Sequence, residues 1–325
     1  MSTSEKARER VRLPLGLGAV ALAWLAAAYF LPKIAWRALP DGLLAVLSLP
    51  TYNMLCQLLT LTMGIGLSAL VVGPPVAALR LTRPSWFACA VVSLVAPAVF
   101  VAASILAIRI AQPYLLRELA TEGAEASRRN AGAFGRAVTE APLVITLIWG
   151  AVLAALSEES LFRGALFGAV RTALFPVFSR RWRASGPPRT ADDDWVSGLA
   201  AVVVAAVVFG WMHFDMKGSV GIVRVASATC LGLACGTVRL LTGTVLASML
   251  LHMLYNTTSL ALGRGWFTST SEPLLCVIPN RLLVVAAAGA VLACLMVGAR
   301  RLAAARGARS VVSAERDPRA GDPGQ

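Results

Sequence analysis

Charge is what this sequence has least of. Aspartate, glutamate, lysine and arginine make up 14% of its 325 residues, against 57% hydrophobic ones, whereas soluble domains carry about 25% charged residues. With a strongly positive mean hydropathy, that shortage excludes a soluble globular reading. Histidine is scarcer still, with two in the whole chain. No pair of its six cysteines has the CxxC spacing of a structural zinc site. Five of them, Cys56, Cys89, Cys230, Cys235 and Cys294, lie inside apolar runs and read as small core residues, not disulfide partners. Internal repeats are also lacking.

What fills the sequence is apolar runs, at 13–32, 43–73, 84–110, 142–175, 196–214, 219–241, 243–262 and 282–299. Each approaches or exceeds the roughly 18–20 residues an α-helix needs to cross hydrocarbon. The expectation is an all-α, polytopic transmembrane helix bundle of about eight spans. Pro50 interrupts the second run, and the fourth is longer than a bilayer requires. A basic stretch with Lys6, Arg8, Arg10 and Arg12 precedes the first run, as in a secretory signal. That run is too long for a signal core and lacks a clear cleavage site, so it reads as a first membrane helix. Four regions result: a basic cytoplasmic N-terminus at 1–12, N-terminal transmembrane helices at 13–141, a core at 142–299 and a disordered basic tail at 300–325.

The net charge of +13 does not point to nucleic acid, because the arginines stand between apolar runs and in the tails, not on one folded face. With the N-terminus inside, the cytoplasmic segments hold Arg80 and Arg83, Arg171 to Arg189, Arg239 and the six tail arginines from Arg300 to Arg319. The largest loop opposite, 117–140, balances its arginines with Glu118, Glu122, Glu125 and Glu140. Positive charge is retained in the cytoplasm, so both termini are expected there. The tail from 300 has no apolar periodicity and reads as disordered and lipid-touching; 176–195, with Gly186, Pro187 and Pro188, reads as a flexible connector.

Polar residues inside the runs carry the functional signal, since a charged side chain at a membrane-helix centre costs about 2.5–3.5 kcal/mol on insertion scales. In Ser157–Arg163, Glu159 and Arg163 are four apart and share a helix face, where they can neutralise each other. Glu158 is left without an obvious partner, which suits proton transfer near neutral pH. In Phe209–His213 the ring and the imidazole lie one turn apart, so Phe209 can restrict the rotamers of His213. In His252–Asn256 two donors project from one face, as an oxyanion hole requires. Each segment alone has a plain structural explanation, a charge cluster or a polar contact between helices. Both histidines of the chain, however, fall in these segments. Glu158 is 17 residues before 175 and His213 is 17 after 196, so each is about 26 Å from the shared turn and an antiparallel hairpin puts them at similar height. Gly164 with Gly168 and Gly232 with Gly236 supply the small-xxx-small spacing that lets membrane helices approach.

EExxxR, FxxxH and HxxxN, in this order on three helices, resemble the motifs of the CPBP (CAAX protease and bacteriocin-processing) family of intramembrane proteases, which includes the type II CAAX prenyl endopeptidases. The resemblance runs from Glu158 to Asn256; residues 1–141 carry no such motif. It implies that Glu158 with His213 activates water for attack on a scissile carbonyl and that His252 and Asn256 stabilise the oxyanion. Glu159, Arg163 and Phe209 take supporting places. The family is commonly named as metalloproteases, and Glu158, His213 and His252 would supply the three protein ligands of a catalytic zinc. Neither histidine lies in an HExxH helix and a glutamate-activated water needs no metal, so no cofactor is the preferred reading, with zinc the alternative.

The expected partners are membrane lipid and a peptide or lipidated protein substrate, with no nucleic acid. Richness in Ala, Arg and Val hints at a GC-rich bacterium and its plasma membrane, where a membrane-proximal peptide or leader is a safer substrate than a prenylated CAAX tail. The same resemblance permits a non-catalytic bacteriocin immunity or membrane scaffold protein. A transporter or proton channel, which also uses intramembrane Glu and His, would bring inverted repeats or paired broken helices, and neither is visible.

Overall fold

The structure is a computed structural model that describes residues 49–72, 83–119, 139–179, 195–214, 218–266 and 280–315. These form seven helical rods: α1 (Leu49–Val72), α2 (Trp86–Leu119), α3 (143–179), α4 (Trp195–Met212), α5 (Gly218–Thr242), α6 (Val245–Gly263) and α7 (Asn280–Glu315). Six of them are long and apolar enough to cross a membrane, and α1 contributes the shorter apolar segment Met54–Gly66. The protein is thus an all-α polytopic membrane bundle. The span expected at 13–32 and the N-terminal basic cluster lie outside the described residues.

Two boundaries and one internal feature differ from the sequence reading. The rod α3 continues to Ser179, into the segment read as a flexible connector. The rod α7 runs to Glu315, so 300–315, expected to be disordered, is helical. Alanine and arginine are strong helix formers in their own right, and a reading based on apolar periodicity undervalues them. The third difference is inside α3, where two π-helical turns, Ile148–Leu153 and Ser160–Leu166, enclose the α-helical Ala154–Glu159. Such wider turns are rare and concentrate at functional sites. They leave Glu158 and Glu159 at the end of a short α-helical stretch, with no break at Ser157.

Packing sets α1, α4 and α6 against α3, while α2 packs on α5, α6 and α7 and α5 packs on α4. The main buried cluster joins Phe100 of α2, Leu161 and Phe162 of α3, Phe209 of α4, Leu231 and Cys235 of α5, and Leu251 and Tyr255 of α6. The α5–α6 turn is tight: Gly243 takes a left-handed φ of 72° and its N–H donates 3.0 Å to the Arg239 carbonyl, the glycine C-cap geometry. Thr244 then caps α6, its hydroxyl accepting from the Leu246 N–H at 3.2 Å. At the far end of α6, Arg264 bonds the Ala141 carbonyl and, at 3.1 Å, the Thr146 hydroxyl, fixing the start of α3.

The two glycine pairs behave differently. A Cβ at Gly232 would lie 2.9 Å from the Ala206 Cα, and one at Gly236 2.9 Å from Val202, so α4 and α5 touch through these positions. At Gly168 a Cβ would meet nothing within 4 Å. Gly232→Val is therefore expected to destabilise the bundle by about 1–3 kcal/mol through overpacking against backbone, whereas Gly168→Ala stays neutral or stabilises slightly. Unfolding of both variants in mixed micelles checks this; equal midpoints would contradict the α4–α5 contact.

Candidate active site

The helices bring Glu158, Glu159, Arg163, Phe209, His213 and His252 into one cluster. The Nε2 atoms of both histidines converge on one oxygen: Glu158 Oε2 is 3.9 Å from His213 and 3.8 Å from His252. The hairpin height argued from sequence thus holds, and the third helix joins it. These distances are longer than hydrogen bonds, and Glu158 Oε2 is buried without a donor among the described residues, although the Glu158 and His213 side chains are about a quarter exposed, 25% and 22%.

Each imidazole is oriented by its other nitrogen. His213 Nδ1–H donates 2.8 Å to the Phe209 carbonyl, one turn back at the end of α4. His252 Nδ1–H donates 2.9 Å to Glu159 Oε1. The same oxygen faces Arg163 Nη1 at 2.9 Å, with both side chains of that pair wholly buried. Glu159 is thus more than the neutralising partner of Arg163 expected from spacing: it sets the His252 ring. Arg163 in turn donates from Nη2 to the Gly232 carbonyl at 3.1 Å, tying α3 to α5 at the glycine contact.

Phe209 is the packing centre. Its buried ring lies 4.5 Å from the His213 ring, 5.0 Å from Phe162 and 5.8 Å from His252, edge to face with the last two, and the Arg163 guanidinium sits 4.6 Å from its centroid. It holds both histidines and the arginine, not His213 alone. Asn256 stands one turn beyond His252 on α6, partly buried, and it makes no side-chain hydrogen bond among the described residues. Asp215 and Lys217 lie outside the described residues.

Sequence reasoning missed Cys235 and Ser248, which flank Glu159 from α5 and α6, and Arg224, whose charge acts on Glu158. Arg224 was legible only as a basic residue within an apolar run. All five cysteines within the described residues are free thiols. The zinc alternative meets the same geometry. Both Nδ1 atoms are tied to acceptors, as metal-ligating histidines often are, yet no three His, Cys, Asp or Glu side chains among the described residues are grouped so as to hold a metal ion. As placed, Glu158, His213 and His252 do not form that ligand set.

A partly buried carboxylate facing two oriented imidazoles, inside a multi-pass helical membrane protein, defines a site equipped for proton transfer. Residues 140–258 match the family model described as type II CAAX prenyl endopeptidase Rce1-like. The match contains every residue of the cluster and supports the CAAX protease family that the three motifs resemble. The family is one of proteases, which makes hydrolysis the general class of chemistry for the site. No curated protein and no solved structure matches the chain.

Proposed function

We propose that this protein is an intramembrane endopeptidase that hydrolyses a peptide bond of a membrane-associated protein or peptide, in CAAX-type or leader-peptide processing. The observation that carries this reading is the convergence of His213 Nε2 and His252 Nε2 on the donor-free Glu158 Oε2, at 3.9 and 3.8 Å. A buried acceptor without a donor is costly, and the substrate water supplies that donor. Glu158 takes the water's proton while the oxygen attacks the scissile carbonyl carbon, whose π electrons move onto its oxygen. His213, fixed by the Phe209 carbonyl, positions the water. The oxyanion accepts from His252 Nε2–H and from the Asn256 amide. Donation from both ring nitrogens makes His252 an imidazolium, held between Glu158 and Glu159. The C–N bond then breaks as the proton on Glu158 passes to the departing amine.

No step of this scheme passes through a metal. Richness in Ala, Arg and Val favours a bacterial plasma membrane, and the distribution of lysine and arginine favours both termini cytoplasmic, with the bundle surrounded by lipid and drawing its peptide substrate from it. The test is hydrolysis of an internally quenched library of lipidated and unlipidated peptides by the purified, folded protein, with and without a zinc chelator. Cleavage that persists in chelator is expected. Loss of cleavage on chelation would overturn the metal-free scheme while keeping the peptidase, and no cleavage by the native protein would overturn the peptidase.

A further inference from the structure

The face of α5 that lines the catalytic core can be followed outward from Cys235, which is fully buried and near enough to Glu159 for that charge to bear on its thiol. Leu231 and Ala228, nearer the start of α5, are buried in the cluster that holds Phe209, Leu251 and Tyr255. Offsets of four, seven and eleven residues return to one face of a helix. Arg224 stands at those offsets before Ala228, Leu231 and Cys235, so it is the next residue outward and the charged one on this stripe. Its height is set independently. The carbonyl oxygen of its neighbour Val225 would lie 3.0 Å from a Cβ at Gly210, three residues before His213. Helical side chains lean toward the helix N-terminus, here the end of α5 beside His213.

The mouth of the site lies in the same place. Toward 179, α3 packs on α4; toward 143, it packs instead on α6 and α1. The helix α4 ends at Met212, beside the cluster, and the partly exposed Glu158 and His213 stand at that end. Arg224 is partly buried and near enough for its charge to bear on Glu158.

We propose that Arg224 is a specificity-determining residue that binds a carboxylate of the substrate, either its C-terminal carboxylate or an Asp or Glu side chain beside the scissile bond. A guanidinium presents a planar fork that matches a carboxylate with two hydrogen bonds, and in apolar surroundings that contact is screened little by solvent. As Glu158 becomes neutral on taking the water's proton, a substrate carboxylate keeps a negative charge facing Arg224. The inference rests on the peptidase reading for its substrate, but its test does not need turnover.

Binding is measured by fluorescence anisotropy on the Glu158→Gln protein, which retains the cleft. The probes are a labelled, lipidated peptide with a free C-terminal acid, its C-terminal amide, and amides carrying one Asp at successive positions. At least one acidic probe is expected to bind about tenfold or more tightly than the neutral amide, the scale of a charge-assisted hydrogen bond, and which probe it is identifies the source of the carboxylate. Adding Arg224→Gln removes the preference. Arg224→Lys, which keeps the charge without the fork, reduces it and serves as the readout should the Gln variant not fold. Equal binding of acid and amide, or a preference that survives in the folded Arg224→Gln protein and is undiminished by Arg224→Lys, overturns the proposal. Failure of the native protein to cleave any peptide sinks the peptidase and leaves this binding preference to be read by itself.

Discussion

Glu158→Gln is expected to lower kcat by about 10⁴-fold, at the upper end of what a positioned general base contributes, while leaving the thermal unfolding midpoint unchanged or slightly raised. Glutamine keeps the shape of the side chain but cannot take a proton from water. Replacing a buried carboxylate oxygen that has no donor with an amide also removes a desolvation cost. Loss of activity and gain of stability in one variant would mark Glu158 as a group held at a thermodynamic cost for chemistry. By comparison Asn256→Ala is expected to lower kcat by about 10²–10³-fold, the range for one oxyanion donor. A Glu158→Gln protein that still cleaves would remove Glu158 from the mechanism. A biological effect that survives the substitution, with no cleavage by the native chain, would favour the immunity or scaffold reading.

The parts of the site legible in the sequence are those set by local spacing. Glu159 and Arg163 are one turn apart, and their ion pair follows from helix geometry alone; so does the contact of Phe209 with His213. The Glu158–His213 meeting was accessible because two helices joined by one connector have their relative heights fixed by counting residues. Contacts between distant segments were not accessible. The bond from His252 to Glu159 crosses 93 positions, and nothing in either segment says which of two adjacent carboxylates the imidazole will meet. The π turns around Ala154–Glu159 rotate the following side chains relative to a regular helix, and no residue type announces them. Gly232 and Gly236 were recognisable as contact residues, yet the same spacing at Gly164 and Gly168 led to open space at Gly168, because small residues permit approach without requiring it. The helical extent of α7 was missed for the opposite reason: helix propensity without amphipathic pattern is discounted by a reading that looks for an apolar face.

Arg163→Met should be the most destabilising single change in the site, by about 3–5 kcal/mol, the range for removing one partner of a buried ion pair. Arg163 and Glu159 are both 0% exposed and 2.9 Å apart, so the variant leaves a carboxylate in the core that has lost its arginine and keeps His252 and Ser248 beside it. It also deletes the link from α3 to the Gly232 carbonyl and the guanidinium packed on Phe209. Adding Glu159→Gln removes the stranded charge, and the double variant should regain most of the lost stability, because two neutral side chains of similar volume carry no ionic desolvation cost. Activity should not return with it. His252 Nδ1 would then face an amide in place of a carboxylate, and the ring that presents Nε2 to the oxyanion loses the charged acceptor that orients it. Equilibrium unfolding in mixed micelles and peptide cleavage, measured on both single variants and the double, separate the two roles. Stability restored without turnover places the Glu159–Arg163 pair in the positioning of His252, whereas a double variant as unstable as Arg163→Met alone would mean that the guanidinium's contacts with Gly232 and Phe209, and not its charge, hold α3 in place.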